Sequence, residues 1–255
     1  MKCRRIDGTF SSFSAALSLP HPRDLSGSPG QPLLLSFVGA GGKTTALFQI
    51  AREQYEEGHR VLVTTTTHMQ RELSGFFPGA EAFFASSADQ ASLLLEEKRF
   101  AVLGSPVENG KISWPGDTAF SQVRSLADRI LVEADGSRGL PCKFPAKWEP
   151  VIPPDTDRIL VLTGMSAIGK MPRESCHRYE LAETFLKKPE TSLPLCPKDL
   201  AALLVHGYLE PLRRRFPPDA VIPVWNQADT PLLQEEALRM LRTMGETGGI
   251  VSVLK

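Results

Sequence analysis

A run of seven residues, Gly39, Ala40, Gly41, Gly42, Lys43, Thr44 and Thr45, has the make-up of a phosphate cradle. Glycines let backbone amides turn toward an anion, lysine adds charge, and a threonine hydroxyl at a helix start can ligate magnesium. The spacing is G-x-x-G-K-T, tighter than the common G-x-x-x-x-G-K-[ST] loop, whose first glycine would fall on Phe37. A glycine-rich turn with a chance Lys-Thr would look the same in isolation, so the flanking elements must decide.

A second group lies in "ILVEADG", where Glu133 and Asp135 end an apolar run. An acidic residue at the end of a strand beside the phosphate strand anchors the water shell of a bound ion. The two carboxylates compete for that role; Thr44 and Asp135 are the expected magnesium ligands. Arg138 follows in "GSRGL" and suits charge that develops on a phosphoryl group, although loop arginines are commonly surface residues. Lys43, Glu133, Asp135 and Arg138 are thus the candidate catalytic groups.

Further along, "VWNQAD" has the N-[KQ]-x-D arrangement by which guanine-specific nucleotide-binding proteins read their base. Asp229 would accept from the guanine N–H groups and Asn226 would tether the loop. Gln227 stands where lysine is usual, which weakens guanine against adenine, and Asp229 could simply precede the next helix. The run Thr65, Thr66, Thr67, His68 supplies hydroxyls and an imidazole for an ion, a γ-phosphate or an acceptor. Threonine is also a good strand former. His177 and Arg178, after Cys176, are candidates for substrate binding; a zinc site needs three or four ligands, and no second Cys/His pair is in view.

These groups need a scaffold. "LLLSFV", "RVLV", "RILVEADG", "RILVLTG" and "AVIPVWNQAD" are short apolar runs of the buried-strand kind, each turning polar at its end. Helical spacing follows the glycine loop, with Gly58 as its stop, so strand, helix and strand make a βαβ unit. Between residues 70 and 129 the sequence predicts a helix over "ADQASLLLEE", a hairpin turning at Asn109-Gly110, and a helix over "DTAFSQVRSLAD" capped by Asp117. Phe76-Phe77 and Phe83-Phe84 read as packing residues. Another helix is expected over Pro197 to Val205. The last helix starts at Thr230-Pro231, and "GGIVSVLK" closes as a strand. The fold class is α/β, a P-loop NTPase-like three-layer fold with a mainly parallel sheet and a small β-hairpin insertion. Its parts are a poorly packed arm over 1–32, rich in Ser, Gly and Pro, and one nucleotide-binding domain over 33–255.

Composition narrows the partners. Of 255 residues, 29 are Lys or Arg and 29 are Asp or Glu, so no basic field collects nucleic acid or anionic lipid. Four scattered cysteines, no signal-like start and no apolar stretch of about 18 residues fit a cytoplasmic protein with reduced thiols and no membrane span.

With "VGAGGKTT", "VLVTTTTHM", "LVEADGSRGLPCKFPAKWEPVIP", "GMSAIGK", "HR" and "NQAD" in order, the chain resembles the YqeC family, described as selenium-dependent hydroxylase accessory proteins. The likeness runs from about Leu34 to the C-terminus. It implies a P-loop-like fold and a role in maturing molybdenum hydroxylases with a selenium-containing cofactor, with such a hydroxylase or a selenium-delivery protein as partner. It brings no established catalytic residues, so residue roles rest on physical argument. "CHRYE" stands where relatives have "VHRPE", which keeps His177 and Arg178 and argues against Cys176 as a ligand. The expected activity is a magnesium-dependent GTPase or ATPase. The alternatives are a kinase or nucleotidyltransferase for a pterin-like or anionic substrate, with His68, Arg138, Lys143 and His177 around the acceptor, and a non-catalytic nucleotide-binding module.

Overall fold

The computed structural model describes residues 2–19, 31–70, 80–187 and 193–253. Its strands, numbered along the chain, begin with β1 (Lys2–Arg5), β2 (Phe10–Ser11), β3 (Leu33–Gly39), β4 (Val61–Thr65), β5 (His68–Gln70), β6 (Phe84–Ala85) and β7 (Phe100–Leu103). Then come β8 (Ser105–Val107), β9 (Lys111–Ser113), β10 (Arg129–Glu133), β11 (Cys142–Lys143), β12 (Arg158–Gly164), β13 (Cys176–His177), β14 (Val221–Asn226) and β15 (Ile250–Val253). The main sheet has the order β2-β1-β15-β14-β12-β3-β10-β4-β7-β6. From β15 to β6 every neighbouring pair is parallel; the two pairings of β1, with β15 and with β2, are antiparallel.

The central strands are the continuous apolar runs of the sequence, because a parallel sheet is covered on both faces. Leu33, Leu35 and Phe37 point to one face, where they pack with Leu47 and Ile50 of the helix Lys43–Glu56. Leu34 and Val38 point to the other, toward the helices Asp117–Arg124, Pro197–Leu204 and Pro231–Thr243. This is the expected three-layer α/β fold of P-loop type, with the glycine loop leaving a central strand. Parallel register puts Glu133 opposite both Phe37 and Thr65, and Gly164 opposite Asn226, so the candidate groups collect at one edge.

The expected hairpin is present as β8 and β9, with Asn109 and Gly110 both at positive φ, and β5 adds to it as a third strand. β4 stops at Thr65, so the threonine run is a strand end followed by a loop. Thr230 caps the last helix by accepting from Leu233 N, as its sequence suggests. Asp117 is not a cap: Gly116 holds that position, and Asp117 is the first helical residue, where its charge suits the helix dipole.

The loose arm is corrected in part. β1 pairs with β15, Cys3 and Phe13 are fully buried and Leu17 nearly so. The Glu53 carboxylate accepts from the backbone N–H groups of Phe13 and Ser14 at 3.3 and 2.8 Å. Averaged composition hid three well-spaced apolar side chains and an available sheet edge. Residues 20–30, like Phe76 and Phe77, lie outside the described residues. Among the described residues no helix is long and apolar enough to cross a membrane.

Candidate functional site

The loop starts where β3 ends. Gly39, Gly41 and Gly42 all have φ between 77° and 99°, a region that side chains make costly. At Gly39 a Cβ would also strike the backbone of Leu162 on β12. Ala40 and Gly41 donate their N–H groups to the carbonyls of Leu162 and Leu140, at 2.9 and 3.0 Å. They therefore shape the loop, a correction to their expected place among the phosphate-facing amides. The amides available to an anion are those heading the helix, from Gly42 to Thr45, since first-turn N–H groups have no partner within the helix. Lys43 is buried, and its ammonium arches back to Gly39 O at 2.8 Å and Ser137 Oγ at 3.1 Å. Burial pulls its pKa down, against the opposing pull of Glu133 and Asp135.

Glu133 and Asp135 have separate environments. Residues two apart on a continuing strand share a face, but β10 ends at Glu133, and Asp135 lies beyond it. Glu133 Oε2 accepts from Thr44 Oγ1 at 2.8 Å. Burial raises its pKa, with Lys43 and the Thr44 hydroxyl working the other way. Asp135, the expected magnesium partner of Thr44, is occupied elsewhere. Its carboxylate pairs with Lys143 and accepts from Tyr208 OH at 2.6 Å and from Gly39 N at 3.2 Å. Burial and Asp135 push the Tyr208 pKa well up, so its hydroxyl remains a donor. The hydroxyl–carboxylate pair beside the helix start is Thr44 with Glu133. Hard oxygen donors at this spot fit magnesium. Among the described residues no group of three or more His, Cys, Asp or Glu could hold a metal, so an ion here would need phosphate oxygens and water as well.

The threonine hydroxyls mostly knit backbone. Thr65 Oγ1 donates to Glu133 O at 2.8 Å and accepts from Thr67 N, while Thr66 Oγ1 donates to Val151 O at 2.6 Å. His68 is exposed on β5 opposite Ser113, and Arg138 is exposed in its loop. His177 sits on β13 opposite Lys143 on β11; burial, then the charges of Lys143, Arg178 and Arg138, lower its pKa and keep it neutral. Arg178 forms a two-pronged pair with Glu149 at 2.9 and 3.0 Å and lies over the Trp148 ring. Lys143 does not line an open acceptor pocket: its ammonium is fully buried between Asp135, Glu149 and Gly136 O. Arg178 and Lys143 hold the Glu149 pKa at about 2 despite partial burial, which acts the other way.

Asn226 does tether the loop. Its Nδ2 donates to Gly41 O at 2.7 Å, and its Oδ1 accepts from Ser252 Oγ at 2.5 Å. Gln227, at positive φ, accepts from Ser166 Oγ, and Asp229 stands exposed before the last helix. The sequence assigns no role to Tyr208 or Ser252, which carry no motif and come from distant segments, nor to Glu149, which lies within a quoted motif where nothing marks its partners.

The sequence model of the YqeC protein family matches residues 35–180. The YqeC protein of Escherichia coli (strain K12) is 35% identical over 193 residues, covering 71% of this chain and 70% of that protein. Among solved structures, the MinC:MinD cell division protein complex of Aquifex aeolicus aligns with 83% of this chain and 72% of its own chain, at 14% identity and TM-score 0.40. Cell division protein FtsY of Thermotoga maritima aligns with 94% of this chain and 68% of its own, at 14% identity and TM-score 0.42.

Proposed function

The chain belongs to the YqeC family, and on that premise we propose that it is a magnesium-dependent nucleotide-binding protein that hydrolyses GTP or ATP. The observation that carries this reading is the junction of the glycine loop with its helix. There Lys43 is held over the loop, and Thr44 is hydrogen-bonded to Glu133 at 2.8 Å. On phosphate binding, Lys43 exchanges Gly39 O and Ser137 for phosphate oxygens, and the helix-start amides take the remaining charge. Thr44 and Glu133 are the residues that would hold magnesium, which supplies charge neutralisation across the phosphates. Asp135 fixes Gly39 from behind. The Asn226 tether and exposed Asp229 favour guanine as the base. Family resemblance supports a cytoplasmic accessory role in maturing selenium-dependent molybdenum hydroxylases, with nucleotide turnover gating delivery of the cofactor or selenium to a partner.

Titration of GTP and of ATP with magnesium tests both parts. Lys43→Ala is expected to weaken binding by about ten- to a hundredfold, the worth of a charge-assisted contact. Unchanged affinity would remove the phosphate-site assignment. Asp229→Asn is expected to lower GTP affinity and leave ATP unaffected; equal affinities for both nucleotides, insensitive to the substitution, would sink the guanine reading.

A further inference from the structure

On the face of the sheet away from the helix Lys43–Glu56 lies a cavity of about 670 Å³. Small-molecule sites commonly occupy about 300–1,000 Å³, with apolar walls and a few placed polar groups. One wall is aromatic: Trp114 and Phe120 have ring centres 5.0 Å apart, and the Arg124 guanidinium lies over Phe120. The facing wall is the segment from Val151 to Asp155, in which Val151 is 55% exposed despite its apolar side chain. Two carboxylates stand in the lining. Asp117 accepts from Trp114 Nε1 at 3.1 Å, and Asp155 pairs with Arg124. Each engages one partner in these contacts and has further lone pairs to offer. With two carboxylates to one guanidinium, the lining suits hydrogen-bond donors better than an anion.

The cavity also touches the phosphate edge. Thr66, which lines it, donates its backbone N–H to Glu133 O at 3.1 Å, and Val151 N donates to Ala134 O at 3.2 Å. A molecule seated there would lie against the strand end that carries the Thr44-bonded carboxylate.

We propose that this cavity is a second small-molecule site, separate from the phosphate loop, that takes a planar, amino-bearing fused-ring heteroaromatic molecule stacked on Trp114. The aromatic wall supplies a flat face, and Asp117 and Asp155 receive ring N–H and amino groups. The inference stands independently of the nucleotide reading.

Pterin, a fluorescent molecule of this class, is the probe, titrated against the full chain with and without GTP. Saturable quenching is expected in both conditions. Trp114→Ala should weaken it about tenfold, the usual worth of one ring stack. Ser121→Trp, on an exposed position of the pocket's helix, should fill the cavity and abolish pterin binding while GTP affinity stays at the wild-type value. Lys43→Ala should spare pterin, so failure of the nucleotide site and failure of this cavity are read separately. Absence of saturable pterin binding, pterin binding that survives Ser121→Trp, or pterin displaced by GTP in proportion to nucleotide occupancy would each overturn the proposal.

Discussion

Glu133 is ionisable and buried; burial, with the Asp135 charge behind it, outweighs the Lys43 charge and the Thr44 hydroxyl and keeps its pKa above the ordinary glutamate value of 4.5. The folded protein thus holds this proton more tightly than the unfolded chain does. Its contribution to stability is fully present below the unfolded value and is lost as pH rises through the raised one. Glu133→Gln keeps the shape and still accepts from Thr44. Without nucleotide it should melt higher than wild type at about pH 8, the gain fading as pH falls to about 4.5, while magnesium-nucleotide affinity drops. Equal melting temperatures across that range would show that ionised Glu133 sits there at no cost. The sequence marked Glu133 and Asp135 by type and place. It could not divide the work between them, because the donors that occupy Asp135 lie 8 and 73 positions away, in Lys143 and Tyr208.

One helical irregularity at the element scale serves the loop. The helix Pro197–Leu204 runs on through a π turn, Val205–Leu209, into Glu210–Arg213. Pro211 has no N–H for the carbonyl of Gly207 and its ring would crowd that carbonyl, so widening just before the proline relieves both problems. Gly207 is needed there for a second reason, since a Cβ would lie 2.9 Å from Pro145 and 3.2 Å from Phe144. The result brings Tyr208 to Asp135, which in turn fixes Gly39. Tyr208→Phe should cost about 1.5 to 3 kcal/mol in urea unfolding, the range for a hydrogen bond to a charged group, and should weaken nucleotide binding more than stability alone explains. A change in neither would detach the π turn from the site. Parallel strands such as Leu33–Gly39 and Arg158–Gly164 were legible because burial on both faces demands an unbroken apolar run. The π turn was not, for a single proline inside an apolar stretch reads equally as a helix end.

At the scale of the whole molecule, the N-terminal residues close one side of the sheet. β1 covers the edge of β15, and Cys3, Phe13 and Leu17 join the cluster beneath the helix that starts at Lys43. Deleting residues 1–19 uncovers that edge and removes those side chains. At about 1.5 to 3 kcal/mol for each large apolar side chain, the burial of Phe13 and Leu17 alone is worth about 3 to 6 kcal/mol, and the strand pairing and the Glu53 hydrogen bonds add to the loss. Urea unfolding should register that loss, and light scattering should show self-association through the bare parallel edge. Phe13→Ala alone should cost about 3 to 5 kcal/mol and leave the edge paired, so it should destabilise without associating. The phosphate loop leaves β3, with β14 and β12 standing between it and β15. Nucleotide affinity of the truncated protein that remains folded should therefore match wild type. If truncation instead left stability intact, the strand pairing of Lys2–Arg5 would be a passive attachment, and the fold would begin at Leu33.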